Sequence, residues 1–249
     1  MTAKIEFQND ISIITLDDGK ANVFSQVMLE SLYECLSKVH KDKGCLVITG
    51  RKGMFSAGFD LKTFASGDKE KIAKMVTLGN QLLYDIYTFP RPVIVAASGH
   101  SIALGVFILC CADYRIGVTG EYICQANEVR NNMDIPTQMM EILKDRVSKK
   151  HFYNAVLHGL PFSTVDAVEA GYLDEVVTEE SLMKAALEKA EDLATLGHPF
   201  YENTKRYAKD ETAKVVLDAM NKFKQKFYKH LHKCKLKSLI FQRMNHPNI

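Results

Sequence analysis

The sequence predicts an α/β fold built on a parallel sheet and followed by helices. Three observations carry that expectation. CLVITG (45–50) and PVIVAAS (92–98) are short, continuous apolar runs, the pattern of strands covered on both faces. Apolar residues at helical spacing separate them. From about residue 138 onward the pattern is mainly helical.

In chain order, 4–8 and 11–16 are rich in β-branched residues, and Asn9-Asp10 supplies a hairpin turn. Residues 26–41 carry a helical stripe, with Ser25 as N-cap. The strand at 45–50 ends in Gly50. Segment 51–64 holds Gly53 and Gly58 and reads as a loop entering a helix. A helix at 69–88 is stopped by Pro90 and Pro92. The strand at 92–98 leads through Gly99 to an apolar helix at 103–113, and YRIGV (114–118) is a third strand. The rhythm implies right-handed βαβ units. Helices are expected at 138–158, 163–171, 180–197 and 200–232, with an extended DEVV piece at 174–177. The last stretch, SLIFQRMNHPNI, has no clear period and reads as a docked or frayed tail.

Composition narrows the function classes. Of 249 residues, 47% are hydrophobic and 25% charged, which excludes a disordered chain and allows a full core without staples. A net charge of +2 imposes no global field for nucleic acid or membrane. Charge does concentrate in KFKQKFYKHLHKCKLK (222–237). This reads chiefly as a solvated helix end, with an anion site for nucleotide phosphates or a nucleic-acid contact as the sharper alternatives. Phe223, Phe227 and Tyr228 are spaced there like a buried stripe. The six cysteines form no CxxC pair and no zinc spacing, so reduced thiols in a cytoplasmic setting and no metal site are expected. The first ten residues lack a signal peptide's apolar region, and the apolar run at 102–112 is too short to span a bilayer.

Two glycine-bearing turns follow buried strands and open toward helices: Ser56-Ala57-Gly58-Phe59-Asp60, and Ser98-Gly99-His100 running on to Ile102-Ala103-Leu104-Gly105. Amides at a helix N-terminus lack intrahelical partners, and two converging on one point make an oxyanion hole. The phosphate-loop patterns GxxxxGK[ST] and GxGxxG are absent.

Together the segments are more specific. Phe55 through Lys62 (FSAGFDLK) resembles the FSAGADLK motif of the crotonase superfamily, the enoyl-CoA hydratase/isomerase family. Pro92–Ala96, Ala103-Leu104-Gly105 and Ala112–Ile116 resemble its PVIAAVNGxALGGG…CDxRIA block. Asp18–Asn22 (DGKAN) and Ala167–Val177 (AVEAGYLDEVV) also fit, in the family's order, over about residues 4–230. The resemblance implies a crotonase-like spiral of ββα units over 1–195 and a C-terminal helical trimerisation region with a basic tail over 196–249. It implies an acyl-CoA substrate, a homotrimer or hexamer, and no cofactor beyond the CoA of the substrate thioester. The backbone N–H groups of Phe59 and Leu104 would hold the thioester oxygen. Phe59, Asp60, Leu61 and Lys62 would line the pantetheine end, with Lys20 and Ala21 near the nucleotide and Phe107 at the substrate.

The departures from the family carry the functional expectation. Hydratases in the family use two glutamates. The first falls on Phe107, six residues before Asp113, and phenylalanine moves no proton. The second falls near Asn127, and Glu128-Val129 matches the family's Glu-Val/Ile pair with one residue inserted upstream, so Glu128 is the retained acid/base. The family's IPGxGGTQ loop reads Met133-Asp134-Ile135-Pro136-Thr137-Gln138 here, without its glycines, and Asp134 is a further candidate acid. His100 is a minor candidate. Asp60 reads as a helix cap and Asp113 as structural. One base with an oxyanion hole points to 3-enoyl-CoA to 2-enoyl-CoA isomerisation. The alternatives are 2-enoyl-CoA hydration, another enolate reaction such as thioester hydrolysis or decarboxylation, and a catalytically weak acyl-CoA- or RNA-binding member.

Overall fold

The computed structural model describes the backbone of residues 2–245 and the side chains of residues 2–226. The first hairpin pairs β1 (Ala3–Gln8) with β2 (Ile11–Leu16), and Asn9 takes the left-handed conformation (φ 53°) that its turn requires. Helix α1 (Gln26–Leu36) starts at Ser25, whose hydroxyl accepts from the Met28 amide at 3.2 Å. It ends short of the expected residue 41, because the Lys38 and Val39 amides tighten back onto Cys35 and Leu36.

Then come β3 (Cys45–Thr49), β4 (Gly53–Ser56), α2 (Leu61–Ala65), α3 (Lys69–Tyr87), β5 (Val93–Ala97), β6 (Gly99–Ile102), α4 (Leu104–Cys111), β7 (Tyr114–Val118) and β8 (Ile123–Gln125). After them follow α5 (Thr137–Arg146), α6 (Phe152–Val156), β9 (Phe162–Ser163), α7 (Thr164–Ala170), β10 (Glu175–Val177), α8 (Leu182–Ala194) and α9 (Phe200–Asn245).

Two sheets result. The larger has the order β1-β2-β3-β5-β7-β10 and is parallel apart from β1. The smaller has the order β4-β6-β8-β9, with β4, β6 and β8 parallel and β9 antiparallel. The strand pairs β3/β4, β5/β6 and β7/β8 each send one strand to either sheet before the chain turns into a helix. This is the spiral of ββα units that the family resemblance implied.

The smaller sheet corrects the reading of the residues themselves. The expected loop at 51–64 contains β4, and the expected turn at Ser98–His100 runs into β6. Both strands are only four residues long and begin on a glycine, so no alternation marks them. Glycine is there because the backbones touch: a Cβ on Gly99 would lie 2.0 Å from the Gly53 carbonyl carbon. The expected helix at 138–158 is broken between α5 and α6, where the Ser148 amide bonds the Ala170 carbonyl instead. Helix α9 runs on to Asn245, into the segment read as a tail, whose last four residues lie outside the described ones.

The central strands β3 and β5 of the larger sheet are buried on both faces, as their apolar runs predicted. Along β3, Leu46 and Ile48 face the core shared with α1, α3 and α4, while Cys45 and Val47 face Leu182, Ala186 and Ala190 of α8. Helix α9 packs on α3 and α5 through buried Val216 and Met220. Its first turns are anchored by Lys205 and Lys209, which reach the Asp113 carboxylate at 2.5 and 3.0 Å. Among the described residues, no helix is long and apolar enough to cross a membrane.

Candidate active site

The parallel strands β4, β6 and β8 lie side by side and point the same way. Phe59, Leu104 and Glu128 follow their C-terminal ends by two or three residues each. The carboxyl ends of parallel strands are where α/β folds build ligand sites. Pairing the three strands therefore gathers three residues that are far apart in sequence.

The first of these ends is riveted from the loop after β2. Fully buried Asn22 donates to the carbonyls of Leu16, Met54 and Phe55, and its own carbonyl accepts from the Ser56 hydroxyl at 2.7 Å. The Ser56 hydroxyl accepts in turn from the Gly58 amide at 3.0 Å. Asp18 holds this loop in place by accepting from the amides of Lys20, Asn22 and Val23.

Gly58 has φ +91°, and a Cβ there would lie 2.6 Å from the Ala103 Cβ and 3.1 Å from the Leu104 nitrogen. The chain thus brings the 58–59 peptide against the start of α4. Ala103 itself takes a left-handed φ of 50° to turn β6 into that helix. Among the described residues, the Phe59 and Leu104 amides make no loop or capping hydrogen bond. Two free N–H groups at adjacent chain turns suit an anionic oxygen.

Beside them opens a cleft of about 320 Å³, lined largely by apolar side chains including Phe59, Leu61, Phe64, Val76, Met133, Met139 and Phe223. Its polar members are Asn80, Asn127, Glu128, Asn131, Asp134 and Gln138. Glu128 opens a short turn, and its carbonyl accepts from the amides of Asn131 and Met133, both at 2.9 Å. The residue is 7% exposed, and its Oε2 has no partner among the described residues. Burial pushes the carboxyl up to about 7, against a bond from its own backbone amide. A carboxyl that is half ionised near neutrality can both take and return a proton.

The other expected site residues fall in different places. Phe59 and Leu61 line the cleft, while Leu104 is buried in the core, its nitrogen beside Gly58, and its neighbour Ala103 lines the cleft. Lys20 and Ala21 lie one layer out: the Ala21 carbonyl accepts from Ala57, a cleft residue, and the Lys20 carbonyl from Arg51. Asp60 caps α2 by accepting from the Lys62 and Thr63 amides, and neither Asp60 nor Lys62 lines the cleft. Phe107 is fully buried inside α4, outside the lining. His100 accepts from the Ile123 amide and packs edge-on against Tyr122. Of the basic segment, Lys222 pairs with Asp218, Lys224 donates to Gln81 and Phe223 reaches the cleft. Its side chains from 227 on lie outside the described residues.

Sequence reasoning missed Asn80 and Gln138. Gln138 donates to Asn80 Oδ1 at 3.1 Å. The signal for Asn80 was a polar residue on the buried stripe of α3, in line with Val76 and Leu83.

A family model described as enoyl-CoA hydratase/isomerase matches residues 6–241. The chain is 25% identical to human mitochondrial enoyl-CoA delta isomerase 1 over 71% of its length and 60% of that protein's. It is 32% identical to a probable enoyl-CoA hydratase of Bacillus subtilis over 43% of this chain and 42% of that one. The matches thus span less than two thirds of these curated relatives. A crystal structure of an enoyl-CoA hydratase from Mycobacterium marinum superposes with a TM-score of 0.84 at 32% identity, covering 91% of this chain and all of that one. The human mitochondrial delta3-delta2-enoyl-CoA isomerase shares the fold, with a TM-score of 0.85 at 22% identity and full coverage of both chains.

Proposed function

The chain belongs to the enoyl-CoA hydratase/isomerase family, and from that premise we propose that it isomerises a 3-enoyl-CoA to the 2-enoyl-CoA with Glu128 as its single acid/base. The observation that carries this reading is the buried Glu128 carboxyl, its Oε2 without a partner among the described residues, in an apolar cleft beside two free amides. Glu128 removes a proton from the α carbon of the thioester. The electron pair of that C–H bond moves into the thioester carbonyl, and the Phe59 and Leu104 N–H groups hold the resulting enolate oxygen. The enolate then collapses. The carbon–carbon double bond shifts to the α–β position, and Glu128 returns the proton to the γ carbon. Atoms balance, and no second carboxyl is needed. Each oxyanion donor contributes about 3 kcal/mol to such a transition state.

Hydration of a 2-enoyl-CoA is the second reading, because Asp134 also lines the cleft and offers a second carboxyl. It asks more of the site: a base must activate water while an acid protonates the α carbon. A homotrimer or hexamer and a reducing, cytoplasmic setting belong to the same proposal. Exposed Tyr153, Leu157 and Val165 support the first, and the buried free cysteines among the described residues the second.

The test follows the absorbance of the conjugated thioester. With a 3-enoyl-CoA the absorbance rises, and Glu128→Gln removes the rise. Absorbance that instead falls with a 2-enoyl-CoA, and stays flat with the 3-enoyl substrate, replaces isomerisation with hydration.

A further inference from the structure

Asn80 is a buried amide set in an apolar wall. It is 2% exposed, lines the cleft, and its Nδ2 has no partner. Its Oδ1 is already used, accepting from Nε2 of Gln138, which is itself only 3% exposed. With Oδ1 taken by Gln138, Nδ2 is the end of the Asn80 amide left free. Two N–H donors are left without an acceptor, a loss of about 1–3 kcal/mol for a buried polar group. Such a group is retained where something else completes it.

Its place in the cleft says which part of a ligand would do so. The preceding residue, Gly79, is where α3 meets the rim: a Cβ there would lie 2.5 Å from the Phe59 ring and 3.1 Å from Leu104 Cδ2. Asn80 therefore stands on the helix that backs both amide-bearing residues. The remainder of that wall is Phe64, Ile72 and Val76 from α2 and α3, with Met139 from α5. An acyl chain lying along it meets hydrocarbon except at Asn80 and its partner Gln138.

Resting on the proposed acyl-CoA reading, we propose that Asn80, held by Gln138, is a specificity-determining donor for an oxygen acceptor on the acyl chain. The substrate class is an acyl-CoA with a carbonyl or hydroxyl oxygen beyond the reacting carbons. A plain alkyl chain leaves the Asn80 donors buried and unpaired, so it binds more weakly. Sites built around a buried hydrogen-bonding group discriminate in this way against ligands that lack its partner.

Binding of saturated acyl-CoAs tests this without requiring turnover. Calorimetry compares hexanoyl-CoA with 4-oxohexanoyl- and 5-oxohexanoyl-CoA on the full chain. Wild type should bind at least one oxo ligand about tenfold more tightly than hexanoyl-CoA. Asn80→Leu, similar in size and without a donor, should abolish or invert that ratio. Asn80→Asp, which keeps the shape and places a carboxylate oxygen where the donors were, should reject the oxo ligands most strongly. Asn80→Asp also keeps the test open if the leucine variant fails to fold. Equal affinity of wild type for oxo and plain ligands overturns the proposal, as does a preference that survives both substitutions. Failure of the isomerase reading appears elsewhere: acyl-CoA ligands bind with the expected ratio, but 3-enoyl-CoA is not converted.

Discussion

Glu128 and Asp113 are both buried carboxylates, and they behave in opposite ways. Asp113 is saturated. It receives Lys205, Lys209 and the Val93 amide, and its carboxyl closes the joint between the sheet and α9. Burial alone would raise it, but the two ammonium groups overrule burial and hold it below the usual carboxylate range. Glu128 has comparable burial and no cation. The residue lines the cleft, its Oε2 is buried without a partner among the described residues, and burial pushes the carboxyl up to about 7. The difference lies in what each group still lacks. A carboxylate whose hydrogen-bonding capacity is filled by the protein holds structure together, whereas one left unfilled beside a cavity is available to a ligand.

Substitutions sharpen or break this contrast. The largest effect on activity should come from Glu128→Gln. General acid–base catalysis contributes about 10²–10⁴-fold, and with one carboxyl serving both proton transfers the loss in 3-enoyl-CoA turnover should sit at the upper end. The largest effect on stability should come from Asp113→Asn, which strands buried Lys205 and half-buried Lys209. Urea unfolding should show a loss of about 3–5 kcal/mol. A loss below about 1 kcal/mol would mean the joint tolerates unpaired charge, and the contrast would fail on its structural side.

Gly58→Ala should lower kcat by about 10²-fold, because the new Cβ meets Ala103 and shifts the amides meant for the oxyanion. Phe59→Leu keeps the backbone donor and should cost far less. The smallest effect is a stability difference with pH. Folded Glu128 keeps its proton up to about 7, above its ordinary value of 4.5. The stability this contributes is present below about pH 4.5 and is lost as pH rises through about 7. Glu128→Gln escapes that loss. Its stability relative to wild type should therefore grow between about pH 5 and about pH 8, on the order of 3 kcal/mol at most. Parallel unfolding curves at the two pH values check this.

The contrast also marks how far the sequence can be read. The larger sheet was legible because strands such as β3 and β5 are buried on both faces and show as unbroken apolar runs. The smaller sheet was not, since β4 and β6 gain their identity only by touching each other at Gly53 and Gly99. Yet that sheet positions Phe59, Leu104 and Glu128. Its residues were found through the order of motifs rather than through any local signal. Asp113 was legible as structural, but its partners are on α9, far along the chain, and no spacing links them. Asn80 carried a readable sign, a polar residue on an apolar helical stripe. What it faces depends on Gln138 of α5, which only the packing of three helices brings to it.

The central claim is that Glu128 is an unfilled carboxyl poised near neutrality, and the pH dependence of kcat/KM for a 3-enoyl-CoA tests it most directly. As a base Glu128 must be ionised, so the profile should rise with pH, bend near about 7 and fall about tenfold per pH unit below that. A profile that bends near the ordinary glutamate value, or stays flat across this range, would contradict the account.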